Sequence, residues 1–241
     1  MSEPVPHAAA LRVLGRIDRA LPFTSIVTQG SDATVWVGEV ASLARSGGDP
    51  LEPWRAALQA QQERLHGVPV PPHVPAAFVL QWWCEVAATP LAYAVRLGEG
   101  VVVPDPGGLG FELAPGLHPH RIVVDPDRLS LESAPPCGPE PAAPGGRESA
   151  ARASAEQALE LARTAYLRLV EDVVRDFAPD VVMGSRQRWG VVDDVWQTAV
   201  RLADGAAGVA VGPAPQRVSC CFIYALPGMR ECASCPRGGR N

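Results

Sequence analysis

The chain has 241 residues, of which 47% are hydrophobic and 20% are charged, so it can build one large domain or two small ones. Its 26 acidic residues exceed its 21 basic residues, the formal net charge is -5, and no run of basic residues occurs. This balance disfavours contact with phosphate backbones, and we expect no nucleic-acid partner. The first ten residues lack a basic stretch followed by an apolar one, so we expect no cleaved secretion signal and a cytoplasmic protein.

Hydrophobic spacing predicts a mainly helical body. Apolar residues recur every three or four positions in 7–21, 53–66, 74–97, 148–177 and 189–202. The apolar stretch 76–95 is nearly long enough to cross a bilayer, but it contains Gln81, Glu85 and Pro90. Because a charge in mid-membrane costs roughly 2.5–3.5 kcal/mol, we predict a buried helix there. The chain is therefore compatible with a peripheral position at a membrane and not with a spanning one.

The period of the pattern changes after this helix. Short β-prone runs at 101–103, 110–113 and 121–125 are separated by Pro and Gly, which predicts a small antiparallel sheet. The Pro- and Gly-rich composition of residues 133–147 predicts a loop or linker there. We therefore predict an α+β fold with four parts: a helical and β part at 1–132, the loop, a helical part at 148–211, and a cysteine-rich tail at 212–241 docked on the body as a small cap.

Four of the six cysteines lie in the last 22 residues. Cys220 and Cys221 are adjacent, ten residues follow, and Cys232 and Cys235 are separated by two residues. The second pair has the spacing of a metal knuckle, because both thiolates of a C-x2-C turn can reach one iron or zinc. The first pair is unusual, since adjacent side chains of an extended strand point to opposite faces. The backbone must therefore bend sharply there if both cysteines are to serve one metal centre.

Three interpretations of these four cysteines remain open. A tetrahedral zinc site normally separates the two ligands of a pair by two to four residues, which does not suit adjacent cysteines. A redox-active dithiol or a disulfide would leave the clustering of four thiols unexplained, and disulfides are rare in the cytosol. A [2Fe-2S] cluster takes two thiolates on each iron and accepts other spacings. The pattern favours the [2Fe-2S] cluster.

The tail from Arg217 to Pro236 resembles the C-terminal cluster domain of FhuF-like ferric-siderophore reductases. That family carries two adjacent cysteines, ten residues and then C-x-x-C, and this chain has the motif without departure. Arg188-Trp189-Gly190, at the predicted start of a helix, resembles the tryptophan-glycine helix that precedes the cysteines in many members. The resemblance covers about residues 186–237, and upstream it extends only to length and helical layout.

The resemblance implies an enzyme, a cytoplasmic iron-sulfur oxidoreductase that reduces siderophore-bound Fe(III) to Fe(II) by one electron. It implies a [2Fe-2S] cofactor held by Cys220, Cys221, Cys232 and Cys235, and a ferric siderophore as substrate. No flavin or NAD motif is visible, so an external electron donor is expected, either a ferredoxin-like protein or a reductase. Arg217 and Arg230 lie in a tail that is more basic than the rest of the chain, and we expect them to attract an anionic ferric chelate.

Other candidate residues are expected to have no special role. Cys84, in an apolar helix, is read as a buried small hydrophobe and Cys137 as an incidental thiol of the loop. His118 and His120 lack an acidic or thiol partner nearby in sequence, and we predict no metal site there. Two alternative functions remain: a siderophore- or partner-binding protein whose tail holds a structural zinc ion through its four cysteines, and an iron-sulfur sensor acting on DNA. The sensor would need a basic recognition helix that the sequence does not contain.

Overall fold

The computed structural model describes residues 2–132 and 144–238 of the chain. Within these residues the helices are α1 (His7–Ala20), α2 (Val37–Arg45), α3 (Glu52–His66), α4 (His73–Arg96), α5 (Pro144–Arg175) and α6 (Ser185–Ala206). The strands are β1 (Ser2–Pro4), β2 (Ser25–Val27), β3 (Val35–Trp36), β4 (Val101–Pro104), β5 (Leu109–Leu113), β6 (Pro119–Val124) and β7 (Leu129–Glu132). Helix predominates over small sheets, which confirms the predicted α+β class.

Helix α4 is the centre of the body. Its sequence is apolar on nearly every face, and Val79, Leu80, Trp83 and Leu91 are all at most 1% exposed. Helices α5 and α6 pack along it, so its apolar surface is covered by protein. The prediction of a buried helix at this place is confirmed. Among the described residues no helix combines the length and the apolar character that crossing a bilayer requires.

The helix ends follow local sequence signals. Helix α1 ends before Pro22, and α3 begins with Pro53 in its first turn and ends at Gly67, whose φ of 69° is left-handed. Helices α5 and α6 begin four residues before the predicted positions, at Pro144 and Ser185. Their first turns lack a regular apolar spacing, and the hydrophobic pattern therefore places the starts too late.

The prediction of one antiparallel sheet is wrong in its details, because the strands form two sheets. One has the order β1-β7-β4 and is antiparallel, and the other has the order β2-β6-β5-β3 with β2 parallel to β6. Between β4 and β5 the Asp105 carboxylate accepts the N–H of Gly107 at 2.8 Å and caps a 3₁₀ turn. This turn directs the chain from the first sheet into the second. Strands β1 and β2 have three residues each, too few to show a period of two.

One hydrophobic core joins the elements on both sides of residues 133–143. It contains Trp83 of α4, Tyr166 of α5 and Trp196 of α6, together with Phe111 of β5. The Tyr166 and Trp196 rings are stacked with centroids 5.3 Å apart. Most of the predicted loop at 133–147 lies outside the described residues, as does Cys137, and its last four residues begin α5. The division into four parts stays a prediction.

Candidate metal centre

The tail runs back along one face of α6. After α6 ends at Ala206, the described tail contains a single regular element, the 3₁₀ turn Ile223–Ala225. Gln187, Gly190 and Asp194 are spaced by three and four residues, so they lie on the same side of α6. All three contact the segment just before and at Cys220. This face of α6 therefore positions the first cysteine pair.

Asp194 is the principal anchor of the tail. Its two carboxylate oxygens accept the backbone N–H groups of Val218 and Ser219, each at 2.8 Å, and the Ser219 hydroxyl donates a further short hydrogen bond. The Arg217 guanidinium lies 3.5 Å from the same carboxylate. Asp194 is 9% exposed and Ser219 is fully buried. Charge-assisted hydrogen bonds in such an enclosed place are strong, so the chain just before Cys220 is held in one conformation.

Gln187 fixes the backbone of Cys220 itself. Its side-chain amide donates to the Cys220 carbonyl at 2.6 Å and accepts the Cys220 N–H at 3.3 Å. Arg188, the next residue, donates to the carbonyls of Met183 and Arg175 and so ties the start of α6 to the end of α5. Together these contacts orient α6 relative to both the body and the tail.

Gly190 allows the tail to approach α6 closely. A Cβ at this position would lie 3.2 Å from the Cβ of Ser219 and 3.6 Å from its backbone nitrogen. Carbon atoms at 3.2 Å are closer than normal packing allows, and the tail would have to shift by a few tenths of an ångström. The glycine of the Trp189-Gly190 pair thus has a structural role, because a side chain at this position would collide with Ser219 of the tail.

Gly190→Ala should weaken the docking of the tail by about 1–2 kcal/mol, because Ser219 is held by Asp194 and cannot move away freely. We expect a lower melting temperature of the metal-loaded protein and faster metal loss to a chelator. Gly15→Ala is the matched control, because its Cβ would meet only the flexible end of Arg19 at 3.6 Å in the middle of α1. There the change should be neutral or stabilise by about 0.5–1 kcal/mol. Equal melting temperatures for Gly190→Ala and the parent would contradict the packing argument.

The first cysteine pair sits at a sharp bend. Cys220 and Cys221 are both 8% exposed, and the next residue, Phe222, has a φ of 58°. This left-handed conformation is uncommon for a bulky side chain. It turns the chain directly after the two cysteines, as the adjacent pair requires, and it brings the Phe222 N–H to 3.4 Å from the Cys220 Sγ. The Phe222 ring packs edge-on against His73, at the start of α4, with centroids 4.7 Å apart.

The second pair forms a tight turn beside the first. The Cys235 N–H donates to the Cys232 carbonyl at 2.9 Å, which closes the C-x-x-C turn. The Arg217 N–H donates to the Ser234 carbonyl at 3.0 Å and joins this turn to the segment before Cys220. Cys235 is 5% exposed, whereas Cys232 is partly exposed. The four thiols, all free of disulfides, therefore share one small region with Cys232 nearest to solvent.

Burial and mutual proximity disfavour thiolates when no metal is bound. Burial raises the pKa of the Cys220 thiol, and the nearby Cys235 and Cys221 thiols raise it further, against the lowering effect of the Phe222 N–H. Burial also raises the pKa of Cys232, which lies beside Cys221, while the charge of Arg217 lowers it. Cys220 and Cys232 thus each lie near both Cys221 and Cys235. Metal binding at such thiols must release protons, because only thiolates are strong ligands.

The donor set fits a cluster of two irons. Four soft sulfur ligands suit zinc or iron-sulfur centres, and four is the number that a [2Fe-2S] cluster takes at two ligands per iron. The four cysteines could therefore hold a [2Fe-2S] cluster, with the Phe222 N–H as a hydrogen-bond donor to a ligand sulfur.

Comparison with known families now identifies the tail. Residues 217–237 match the family model of the FhuF 2Fe-2S C-terminal domain. The four tail cysteines fit its motif. The FhuF domain is a 2Fe-2S domain, so the expected cofactor is confirmed at the level of the domain, and the zinc tail that the sequence left open is not what this domain carries. The match covers 21 of the 241 residues, and no curated protein matches the chain.

The two arginines predicted to meet the substrate have different surroundings. Arg217 is 20% exposed in its side chain, contacts Asp194 and donates to the Gln81 side chain at 3.2 Å, so it takes part in docking the tail. Arg230 is exposed. Cys84 is fully buried in the core, in line with its reading as a small hydrophobe. His120 contacts the Glu112 carbonyl, and in the described part of the chain neither it nor His118 belongs to a metal-binding group.

Asp194 and Gln187 did not emerge from the sequence. A signal for Asp194 exists, because this carboxylate lies among Val191, Val192, Val195 and Trp196, the most apolar stretch of α6. A charged residue on a buried helix face needs a partner, and the sequence does not say which segment supplies it.

Proposed function

We propose that the chain is a ferric-siderophore reductase, an iron-sulfur oxidoreductase that passes one electron to chelated Fe(III) and so releases iron as Fe(II). The observation that carries the proposal is the FhuF 2Fe-2S domain at residues 217–237, in which Cys220 is held against α6 and Cys232 is partly open to solvent. Cys220, Cys221, Cys232 and Cys235 are the proposed ligands. Electron transfer to an external acceptor needs a redox centre close to the protein surface. Cys232 is the ligand that would bring the cluster close to that surface.

The chemistry needs little from the protein besides the electron. When bound, a [2Fe-2S] cluster stores and delivers single electrons. Siderophores hold Fe(III) through hard oxygen donors that bind Fe(II) far more weakly, so reduction itself frees the metal. The residues around the site then have two tasks. Asp194, Gln187 and Gly190 hold residues 218–220, which we call the ligand loop. Arg217 places a positive charge beside Cys232, and this charge favours the reduced cluster because reduction makes the cluster more negative.

The exposed surface of the tail supports an encounter with anionic reactants. Arg230 and Arg237 are exposed, and the Arg237 guanidinium lies 4.5 Å from the centre of the Tyr224 ring and 3.4 Å from Glu231. Basic groups near a redox centre raise the encounter rate with anions, and salt screens the effect over about 8 Å at physiological strength. The electron would come from an external donor, for which a ferredoxin-like protein or a reductase is proposed. A cytoplasmic location is proposed with it.

The test is a single-turnover reaction. Protein loaded with its cluster is reduced with dithionite under anaerobic conditions, freed of excess reductant and mixed with a panel of ferric siderophores. We expect the visible absorption of the oxidised cluster to return while a ferrous chelator captures about one Fe(II) per cluster. If a fully loaded and reduced cluster is reoxidised by none of the chelates, the reductase proposal is wrong.

Steering by charge is tested separately. Arg230→Ala should slow the reaction with anionic chelates at low salt and should have no effect at high salt. Arg217→Ala is less informative by itself, because this residue also docks the tail through Asp194. Equal rates for the parent and Arg230→Ala at low salt would remove the steering role and leave the reductase proposal in place.

A further inference from the structure

A cavity of about 900 Å³ adjoins the candidate metal centre. It lies between α4, α6 and the tail, and its volume is within the range of roughly 300–1,000 Å³ that small-molecule sites occupy. Cys232 and its neighbours Ala233 and Ser234 form part of its wall, whereas the three buried tail cysteines do not line it. A ligand in this cavity would therefore be in contact with the one partly exposed cysteine of the proposed cluster.

The wall of the cavity combines amides with apolar side chains. Gln81, Gln197 and Gln216 supply neutral hydrogen-bonding groups, and Val195 and Leu202 supply apolar surface. A few polar groups set on a partly apolar wall are typical of sites that orient a compact organic ligand.

The charges of the cavity leave one cation without an anionic partner. Arg217 is offset by Asp194, and Asp193 pairs with Arg163 at 2.9 Å. Burial raises the pKa of Glu85, against the lowering effects of a Gln81 hydrogen bond and the Arg217 charge, which favours its neutral form.

Arg201 remains. It follows Asp194 by seven residues, on the face of α6 that docks the tail, and lines the cavity. Its Nη1 donates to the carbonyls of Gly212 and Pro213 at 2.7 and 3.2 Å. Among the described residues no carboxylate pairs with Arg201, and its Nε and Nη2 donors have no protein acceptor. These donors suit a carboxylate oxygen of a ligand.

We propose that this cavity binds the ferric chelate as a compact anion of low charge, with a carboxylate oxygen of the chelate accepting hydrogen bonds from Arg201 and the iron held beside Cys232. The inference rests on the proposed reductase function and gives it a binding site. A single unpaired arginine matches a chelate with one net negative charge. A strongly polyanionic chelate would find in this wall only one cation, Arg201, that is not already paired with a carboxylate.

The step is an outer-sphere transfer of one electron. A reduced cluster held by the four tail cysteines would supply the electron that converts Fe(III) in the chelate to Fe(II), and no bond to the protein would form or break. Fe(II) then dissociates, because the oxygen donors of the chelate bind Fe(II) more weakly than Fe(III). The reductant that restores the cluster is the external one-electron donor named above.

The binding test uses a redox-inert probe, so that it does not depend on electron transfer. Gallium(III)-EDTA is a monoanion with peripheral carboxylate oxygens, and gallium(III) tris(maltolate) is neutral. Both are titrated calorimetrically into the oxidised, cluster-loaded protein at low salt. Gln197→Trp places a large side chain at an exposed position of the cavity wall, and Gln29→Trp makes the same change at an exposed position that does not line it.

We expect the parent and Gln29→Trp to bind gallium-EDTA alike and more tightly than the neutral complex. Gln197→Trp should weaken binding about tenfold or more, because it fills the space of the ligand. Arg201→Gln should weaken gallium-EDTA binding by about tenfold and abolish the preference for the anion, and Arg201→Lys should restore part of it because the charge returns. The visible spectrum of the cluster checks that each variant is intact.

Two results would overturn the cavity assignment: equal affinity of the parent and Gln197→Trp for gallium-EDTA, or no binding by the parent at millimolar probe. Reoxidation of the reduced protein by ferric-EDTA separates this inference from the function on which it rests. If the parent and Gln197→Trp are reoxidised equally fast, the reductase proposal stands and the cavity is not the site. If neither reacts with any ferric chelate although gallium-EDTA binds in the cavity, the site exists and the reductase proposal fails.

Discussion

Replacing any one of Cys220, Cys221, Cys232 and Cys235 with serine should abolish or greatly destabilise the cluster. A serine hydroxyl is a much poorer ligand than a thiolate, and each iron of a [2Fe-2S] cluster depends on two protein sulfurs. Parent protein purified without oxygen should contain two irons and two acid-labile sulfides per chain. In each variant the iron content and the visible absorption should fall close to zero.

Cys84→Ser is the matched control for these four changes. Burial raises the pKa of the Cys84 thiol to about 12, against the lowering effect of a hydrogen bond with Tyr166. This thiol lies within the hydrophobic core of the body, and its high pKa disfavours the thiolate that a metal would need. Serine keeps the hydrogen-bonding group, so the cluster content should equal that of the parent. Cys137→Ser should also keep the cluster. Stoichiometric zinc with no visible absorption in the parent would contradict the whole assignment.

The four cysteines could be recognised from the sequence because metal-ligand spacing is a local property. A C-x-x-C turn and an adjacent pair ten residues upstream are visible in one segment, and the family match at 217–237 covers the same segment. The helices were predictable for a similar reason: each carries its own apolar period, and α1, α3 and α4 lie within about one residue of the predicted positions. Local patterns thus indicate both the elements and the cofactor.

The residues that hold the cysteine segment in place could not be predicted, because their contacts join positions that are far apart in the sequence. Asp194 holds residues 24 and 25 positions further along the chain, and Gln187 holds Cys220 from 33 positions away. The Arg201 cavity likewise requires α4, α6 and the tail in their folded positions. The division of the strands into two sheets was missed for the same reason, since β2 pairs with β6 across almost the whole first part of the chain. No window of sequence contains both partners.

The tail depends on these distant contacts more than the body does. Its small apolar cluster joins Leu226 with Val70 and Val74, and its only regular element is one 3₁₀ turn among the described residues. A segment of this size cannot bury enough apolar surface to hold itself in place. The polar anchor at Asp194 and the metal must therefore supply much of the order around the cysteines.

Asp194→Asn should detach the ligand loop from α6 with little effect on the body. Both carboxylate oxygens accept backbone N–H groups, so the side-chain NH2 of asparagine would face a donor, either Val218 or Ser219. The substitution also removes the charge opposite Arg217. Leaving these buried donors unsatisfied should cost about 2–4 kcal/mol, or roughly 30-fold or more in the docking equilibrium. Cluster loss to an iron chelator should accelerate accordingly, while the helical circular dichroism changes little.

Asp193→Asn provides the control one residue away on the same helix. Asp193 is 52% exposed in its side chain and pairs with Arg163, and such surface pairs contribute about 0–1 kcal/mol. Its cluster should therefore be lost at nearly the parental rate. Equal rates of cluster loss for Asp194→Asn and Asp193→Asn would mean that the buried carboxylate does not hold the loop, and the cysteines would then be ordered by the metal alone. A large loss of helicity in Asp194→Asn would instead assign the residue to the core of the body, because detachment of the tail leaves the contacts among α4, α5 and α6 in place.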